Sequence, residues 1–145
     1  MESSQVKVRS KLKQLWPKLR HIWLFDRLYY NPTLEELQQF LYWAKAQKIA
    51  EISYNDMYNV GDVFDCDDFS VVAAALSKIY VKHNFKGTLP WSFGVTMGNE
   101  FRGMPILHSL NICLTTEGIY LLDYGDRGRL WKAAPENDSV FFVFI

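Results

Sequence analysis

Residues 106–124, ILHSLNICLTTEGIYLLDY, decide the fold, because apolar side chains alternate along two runs that meet at Thr115-Thr116-Glu117-Gly118. A period of two is typical of β-strands, and a glycine in the connection supplies the positive φ that short hairpin loops need. The stretch therefore predicts two antiparallel strands joined by a hairpin.

The hairpin also predicts which polar side chains meet on the sheet. His108 lies in the first strand and Asp123 in the second. Both a two-residue loop, Glu117-Gly118, and a four-residue loop, Thr115 to Gly118, place them on one face, since side chains alternate. Only the four-residue loop makes them diagonal neighbours, at roughly 7–8 Å between backbones and within reach of long side chains. Asp126 falls on the opposite face, so the register favours Asp123 as the partner of His108.

Three amphipathic helices are predicted before the strands. A basic helix occupies the first twenty residues and ends near Pro17. The second begins at a capping box that opens with Thr33. The third has apolar side chains at a helical period over residues 69–80, which places Asp65 as its N-cap and Cys66 at its start. Cys66 is therefore expected to open a buried helix.

Helices followed by strands predict the fold class. From Trp91 to Ile145 short apolar runs alternate with Gly and Pro, which is typical of an antiparallel sheet. Helices first and an antiparallel sheet afterwards indicate an α+β fold. We expect one domain over residues 1–145, with a helical N-terminal part over 1–50 and a core over 51–145.

Composition narrows the function classes. The chain has 145 residues, of which 49% are hydrophobic, and its 16 basic residues balance 16 acidic ones. Disorder is excluded, and the zero net charge provides no overall field for nucleic acid or an anionic membrane. We expect no nucleic-acid partner, since the basic first helix is interpreted as a solvated face. No apolar run reaches the roughly 20 residues of a membrane span, and no signal peptide is visible, so we expect a cytoplasmic protein.

The cysteines and the remaining histidines indicate neither a disulfide framework nor a metal site. Two cysteines, Cys66 and Cys113, are too few for a disulfide framework, and they lack the paired spacing of zinc ligands. Acidic residues crowd positions 56–68 but do not fit a calcium loop, so no metal and no cofactor are expected. Cys113 is predicted to pack in the core, and His21 and His83 to be surface or packing residues.

Cys66, His108 and Asp123 are the residues on which chemistry could depend. A thiol is a nucleophile only as the thiolate, and a helix N-terminus favours that form through its positive dipole end. An imidazole within hydrogen-bond reach would take the thiol proton, and a carboxylate would fix the imidazole tautomer. The hypothesis is that Cys66 is a nucleophile, His108 its base and Asp123 the residue that orients His108.

The residues Phe64-Asp65-Cys66-Asp67-Asp68-Phe69, an Ala-rich helix, His108 and then Leu121-Leu122-Asp123 follow one another in that order. This pattern resembles the transglutaminase-like cysteine peptidases of bacteria and phages, within the papain-like superfamily. The likeness covers roughly residues 50 to 125. It implies a buried helix starting at the cysteine, packed on an antiparallel sheet, and a papain-like Cys-His-Asp triad.

The same resemblance implies a thiol hydrolase or acyltransferase that acts on an amide of a peptide or protein through a thioester. Water would resolve that intermediate by hydrolysis and an amine by transfer, and the sequence leaves both open. The oxyanion donor is also open, with the N–H of Cys66, Asn59, Tyr54 and Trp91 as candidates.

The alternative is a non-catalytic binding or inhibitor protein of papain-like fold that holds a partner in its cleft or on the basic N-terminal helix. The aromatic residues that could line such a cleft are Trp91, Tyr54, Tyr58 and Tyr124. Accessibility of the Cys66 thiol distinguishes this alternative from the enzyme, because a structural thiol is inert in the folded chain.

Overall fold

A computed structural model describes residues 1–47, 66–85 and 89–145 of the chain. Within these residues the chain forms eight strands and three helices. Their order is β1 (Glu2–Ser4), α1 (Gln5–Leu15), β2 (His21–Trp23), β3 (Leu28–Tyr30), α2 (Leu34–Ala46), α3 (Cys66–Asn84), β4 (Phe93–Glu100), β5 (His108–Thr115), β6 (Gly118–Asp123), β7 (Arg129–Lys132) and β8 (Ser139–Phe144).

Several sequence predictions lie outside the described residues. They are the N-cap Asp65, the candidate oxyanion donors Asn59 and Tyr54, the candidate cleft residue Tyr58, and the acidic residues 56 and 62 of the stretch that does not fit a calcium loop.

A six-stranded sheet forms the centre of the fold, in the order β2-β8-β4-β5-β6-β7. Its neighbouring strands are antiparallel except for β2, which runs parallel to β8 through the pairs His21↔Phe142, Ile22↔Val143 and Trp23↔Phe144. The strands β1 and β3 form a separate antiparallel pair.

Each face of the central sheet has its own apolar core. On one face α1 contributes the fully buried Val8 and Leu12, which belong to the same cluster as Leu110 and Leu121 of the sheet. On the other face α2 and α3 pack over a second cluster. Its members include Phe40, Ala44, Phe69, Ala73, Phe93, Cys113, Leu122 and Tyr124. Each large apolar side chain that becomes fully buried stabilises the fold by about 1.5–3 kcal/mol, so both faces contribute to stability.

The capping box predicted at Thr33 is confirmed. The Thr33 hydroxyl accepts a hydrogen bond from the Glu36 N–H at 3.1 Å, and a Glu36 carboxylate oxygen accepts from the Thr33 N–H at 2.7 Å. The α1 helix begins similarly, with Ser4 as N-cap to the Lys7 N–H. Among the described helices none is both long and apolar enough to cross a membrane.

The predicted class, an α+β domain with helices first and a C-terminal antiparallel sheet in a papain-like or transglutaminase-like arrangement, is wrong. Three strands lie in the first thirty residues, and β2 joins the main sheet in parallel. Strands outnumber helices by eight to three in the described part of the chain. The sequence hid this because β1, β2 and β3 have three residues each, which is too short for alternation to be recognised.

Gly94 provides a test of the β4–β8 contact. A Cβ atom at this position would overlap the carbonyl oxygen of Phe144 and lie 2.8 Å from the Cα of Ile145. We expect Gly94→Ala to reduce the free energy of unfolding by about 3 kcal/mol, the upper end of the usual cost of overpacking. Urea unfolding followed by circular dichroism measures this. Ser10→Ala, on the exposed face of α1, is the control and should change stability by less than about 0.5 kcal/mol. Equal midpoints for the two variants would contradict the close approach.

Candidate functional site

The β5–β6 hairpin has the register that brings His108 and Asp123 together. The strands pair from Asn111↔Leu122 to Thr115↔Gly118, and Thr116-Glu117 is the loop. This is the register that the sequence associated with a four-residue loop. Neither of the two loops that the sequence left open is formed as such, because Thr115 and Gly118 also pair and leave the two-residue loop Thr116-Glu117, with Gly118 at a φ of 137°.

The side chains of His108 and Asp123 are in direct contact. The His108 Nε2 lies 2.8 Å from the Asp123 Oδ2, and the two side chains are only 22% and 19% exposed. The other carboxylate oxygen of Asp123 accepts a hydrogen bond from the Asp126 N–H at 3.0 Å. Both oxygens are therefore engaged, which fixes the carboxylate and, through it, the plane of the imidazole.

Cys66 is the third member of the group. It is half-buried at the beginning of α3, and its thiol lies close enough to the His108 side chain to raise the pKa of that imidazole. Because Asp123 occupies Nε2 of the imidazole, Nδ1 is the nitrogen left for the sulfur. The structure thus brings together all three residues that the sequence singled out.

The three residues meet at the end of the strands. By alternation His108 shares a face with Leu110, and Asp123 with Leu121, both in the core under α1. The α3 helix packs on the opposite face, where its Phe69 lies in the other core. Cys66 and His108 can touch because β5 begins at His108, where the sheet no longer separates its two faces.

Both partners shift the titration of His108. Its pKa is raised from 6.5 to about 9, first by the hydrogen bond to Asp123 and second by the hydrogen bond to Cys66, while burial opposes the shift. The negative charges of these two partners raise it further. Near pH 7 the imidazole is therefore protonated and carries a positive charge beside the Cys66 sulfur.

A buried polar network ties α3 to the sheet behind this site. The Ser70 Oγ lies 2.8 Å from the Ser109 Oγ, and the Asn111 side-chain amide donates to the carbonyls of Ser70 at 2.7 Å and Gly94 at 3.0 Å. Sequence analysis missed this network. The only available signal was Asn111, a polar residue inside an apolar strand, whose burial requires hydrogen-bond partners.

The other candidate residues lie elsewhere. Trp91 is buried in an aromatic cluster with Phe40 and Tyr80 before the start of β4, whereas His108 pairs with Gly98 near the end of that strand. Trp91 is therefore wrong as an oxyanion donor. Tyr124 is also excluded from a cleft, since it is buried and its hydroxyl donates to the Ala44 carbonyl at 3.1 Å.

The prediction that Cys113 packs in the core is confirmed. Cys113 is buried between the sheet and the helices, and burial raises the pKa of its thiol. His21 and His83 are exposed. Within residues 1–47, 66–85 and 89–145, no three His, Cys, Asp or Glu side chains are placed to hold a metal ion.

Solved structures of a lectin are similar to this chain. One, described as a PSL1a–E64 complex, is 18% identical with a TM-score of 0.74, and the match covers 99% of this chain and 50% of that one. Another, Polyporus squamosus lectin bound to the human-type influenza-binding epitope Neu5Acα2-6Galβ1-4GlcNAc, is 19% identical with a TM-score of 0.74, covering 99% and 49%. The chain spans about half the length of these neighbours, and at such identity the likeness shows the fold alone.

The comparisons correct the predicted family and function. No family model and no curated protein matches the chain, and the structural neighbours above are lectin chains. The assignment to transglutaminase-like or papain-like cysteine peptidases is wrong. So are the predicted hydrolysis or transfer of a peptide or protein amide and the alternative of a papain-like binding or inhibitor protein. The motif misled because Cys-Asp-Asp-Phe also satisfies the ordinary preference for acids at a helix start.

The contact between His108 and Asp123 can be tested by titration. NMR of the imidazole should show His108 titrating near pH 9, well above the ordinary histidine value of about 6.5. We expect Asp123→Asn to lower the pKa of His108 more than Cys66→Ser does, because the bond to Asp123 is the larger cause. An ordinary His108 pKa in the unmutated protein would contradict the geometry.

The same shift predicts how stability depends on pH. The pKa of His108 in the folded protein lies above the ordinary value of 6.5. The contribution of protonated His108 to the free energy of unfolding is therefore complete below about pH 6.5 and is lost as the pH rises to about 9. The free energy of unfolding, measured in urea at pH 6 and pH 9, should therefore fall more for the unmutated protein than for Asp123→Asn. Equal falls in both proteins would argue against a stabilising pair.

Proposed function

We propose that Cys66, His108 and Asp123 form a nucleophilic thiol site. Cys66 is the nucleophile that forms a bond from sulfur to an electrophilic carbon, His108 holds the thiol proton at Nδ1 as an imidazolium, and Asp123 orients the imidazole. The 2.8 Å contact between His108 and Asp123, with the Cys66 thiol beside the same imidazole, is the observation that carries this proposal. The proposal concerns the reactive thiol and does not extend to the amide chemistry corrected above.

The surroundings of Cys66 support this role. The sulfur begins a 19-residue helix, whose N–H groups and dipole stabilise a negative charge, and it faces an imidazole with a raised pKa. Cys66 is only half-buried, so a small reagent can approach it. A reducing compartment such as the cytoplasm would keep this thiol free, and we propose that location for the protein.

Alkylation with iodoacetamide at pH 7 tests the proposal. We expect Cys66 to react at least tenfold faster in the folded protein than in urea, where both cysteines lose their surroundings. His108→Ala should remove that advantage, and Asp123→Asn should reduce it. Mass spectrometry of tryptic peptides separates Cys66 from Cys113, which serves as the internal control because it is 1% exposed. A folded Cys66 that reacts no faster than the unfolded one would contradict the proposal.

E64 is a second probe of the same site, because one structural neighbour is a complex with E64. We expect one E64 adduct per chain by intact mass, located at Cys66 and absent from Cys66→Ser. An adduct that persists in Cys66→Ser, or that forms at Cys113, would argue against a specific thiol site.

Glycan binding is a second candidate function, favoured by a cleft at the other end of the hairpin. One neighbour binds Neu5Acα2-6Galβ1-4GlcNAc. The present chain has a cleft of about 450 Å³ between α1, the β5–β6 hairpin and β7, with Lys11 and Lys132 among its lining residues. Neither lysine forms an ion pair with a described residue. The size suits a small ligand, and two lysine ammonium groups suit the carboxylate of a sialic acid.

The cleft also offers surfaces for the rest of a sugar. Gln14 and Thr116 supply polar groups, and Leu15 and Ile119 supply apolar contacts. The carboxylate of Glu117 is turned toward other groups, accepting hydrogen bonds from the Leu34 N–H at 3.0 Å and the Thr116 hydroxyl at 2.7 Å. An anionic ligand would therefore meet two lysines and a carboxylate that is already hydrogen-bonded.

Titration with Neu5Acα2-6Galβ1-4GlcNAc, followed by NMR, tests this candidate. We expect binding that is lost in the double variant Lys11→Ala/Lys132→Ala and retained in Lys18→Ala, an exposed lysine that does not line the cleft. The disaccharide without the sialic acid should bind at least tenfold more weakly, since the carboxylate is missing. Cys66→Ser should bind normally, which separates this candidate from the thiol site. No shifts at millimolar trisaccharide would exclude it.

A further inference from the structure

The connection between β4 and β5 exposes apolar side chains next to the thiol site. Residues 102–107 are six consecutive exposed positions. Three of them are large and apolar, with exposed fractions of 56% for Met104, 47% for Ile106 and 70% for Leu107. Contiguous exposed apolar surface in a folded chain often marks a place where something binds.

The backbone of this connection is fixed despite its exposure. The Arg102 N–H donates to the buried carboxylate of Asp138 at 3.0 Å, and the Gly103 N–H donates to the Asn137 carbonyl at 2.8 Å. Phe101 and Met104 exchange two backbone hydrogen bonds, at 3.0 and 2.9 Å. A surface held in place before binding loses less conformational entropy when a ligand arrives.

The connection leads directly into the thiol site. Leu107 precedes His108 in the chain, and the buried ring of Phe101 lies edge-on to the His108 ring, with centroids 6.3 Å apart. The one charged side chain in 101–107, Arg102, is placed over the Trp131 ring at 5.9 Å, which occupies it away from the apolar residues. The exposed apolar residues of the connection therefore lie on the His108 side of the thiol site, joined to it by chain adjacency at Leu107 and by the ring contact of Phe101.

We propose that Met104, Ile106 and Leu107 form an apolar subsite that receives an aliphatic or aromatic substituent of the electrophile attacked by Cys66. This inference rests on the proposed thiol site and adds the ligand class, a neutral electrophile with an apolar group. The step itself is an ordinary alkylation when an iodoacetamide is the probe. The sulfur–carbon bond forms, the carbon–iodine bond breaks and iodide leaves, while the thiol proton is the one that the His108 imidazolium already holds.

The experiment compares two probes, iodoacetamide and N-hexyl iodoacetamide, at pH 7. The rate of Cys66 alkylation is measured with each reagent, in the folded protein and in urea. We expect the ratio of the hexyl rate to the iodoacetamide rate to be more than tenfold higher in the folded protein than in urea. Burial of two methylene groups would suffice, at about fourfold each. The double variant Ile106→Ser/Leu107→Ser should lose this preference and keep its rate with iodoacetamide. Met104→Ser is a second, single variant, which should reduce the preference in part.

Val6→Ser is the matched control. Val6 is 77% exposed. The side-chain amide of its neighbour Gln5 donates to the Leu24 carbonyl, which lies at the end of the sheet opposite the β4–β5 connection. It should leave the preference unchanged. Fast reaction of Cys66 with both probes and no hexyl preference would overturn the subsite while the thiol site stands. Slow reaction with both probes in the folded protein would overturn both proposals.

Discussion

The register of the β5–β6 hairpin is the constraint on which the rest of the site depends. A slip by one residue would move His108 or Asp123 to the other face of the sheet and break their 2.8 Å contact. The register is held along the strands by Ile112 and Leu121, both fully buried and directly paired. Polar geometry at the strand ends is thus set by apolar burial in the middle of the strands.

The two covered faces of the sheet explain where the site lies. A thiol on the helix layer and an imidazole on the other face are separated by the sheet along most of its length. They can meet only where β5 begins, and there the network of Ser70, Ser109 and Asn111 holds the first turns of α3 against the strand. Partial exposure of Cys66 and His108 follows from the same placement, and reagents can reach the sulfur without opening the core.

Sequence patterns predicted what long, regular segments determine. The alternation in residues 106–124 yielded the register and the pairing of His108 with Asp123, and the box at Thr33 yielded the start of α2. The parallel strand β2 was not predicted, because three residues are too few to show an alternation of apolar and polar side chains. Its pairing with β8 joins residues more than a hundred positions apart, and no local pattern encodes such a contact. The hydrogen bonds of Asn111 were not predicted, because a single polar residue in a strand indicates that it needs a partner but not which residue that partner is.

The failed family assignment and the proposed thiol site rest on different kinds of evidence. A short motif at a helix start is satisfied by the dipole preference for acids, so Asp67 and Asp68 carry little information about ancestry. The meeting of a sulfur, an imidazole and a carboxylate is a property of this chain's own geometry. Chemistry follows from such a site and not from the fold that holds it. The lectin likeness therefore overturns the predicted peptidase fold and family, while the reactivity that we propose for Cys66 depends on the raised pKa of His108 and on the Asp123 carboxylate beside it.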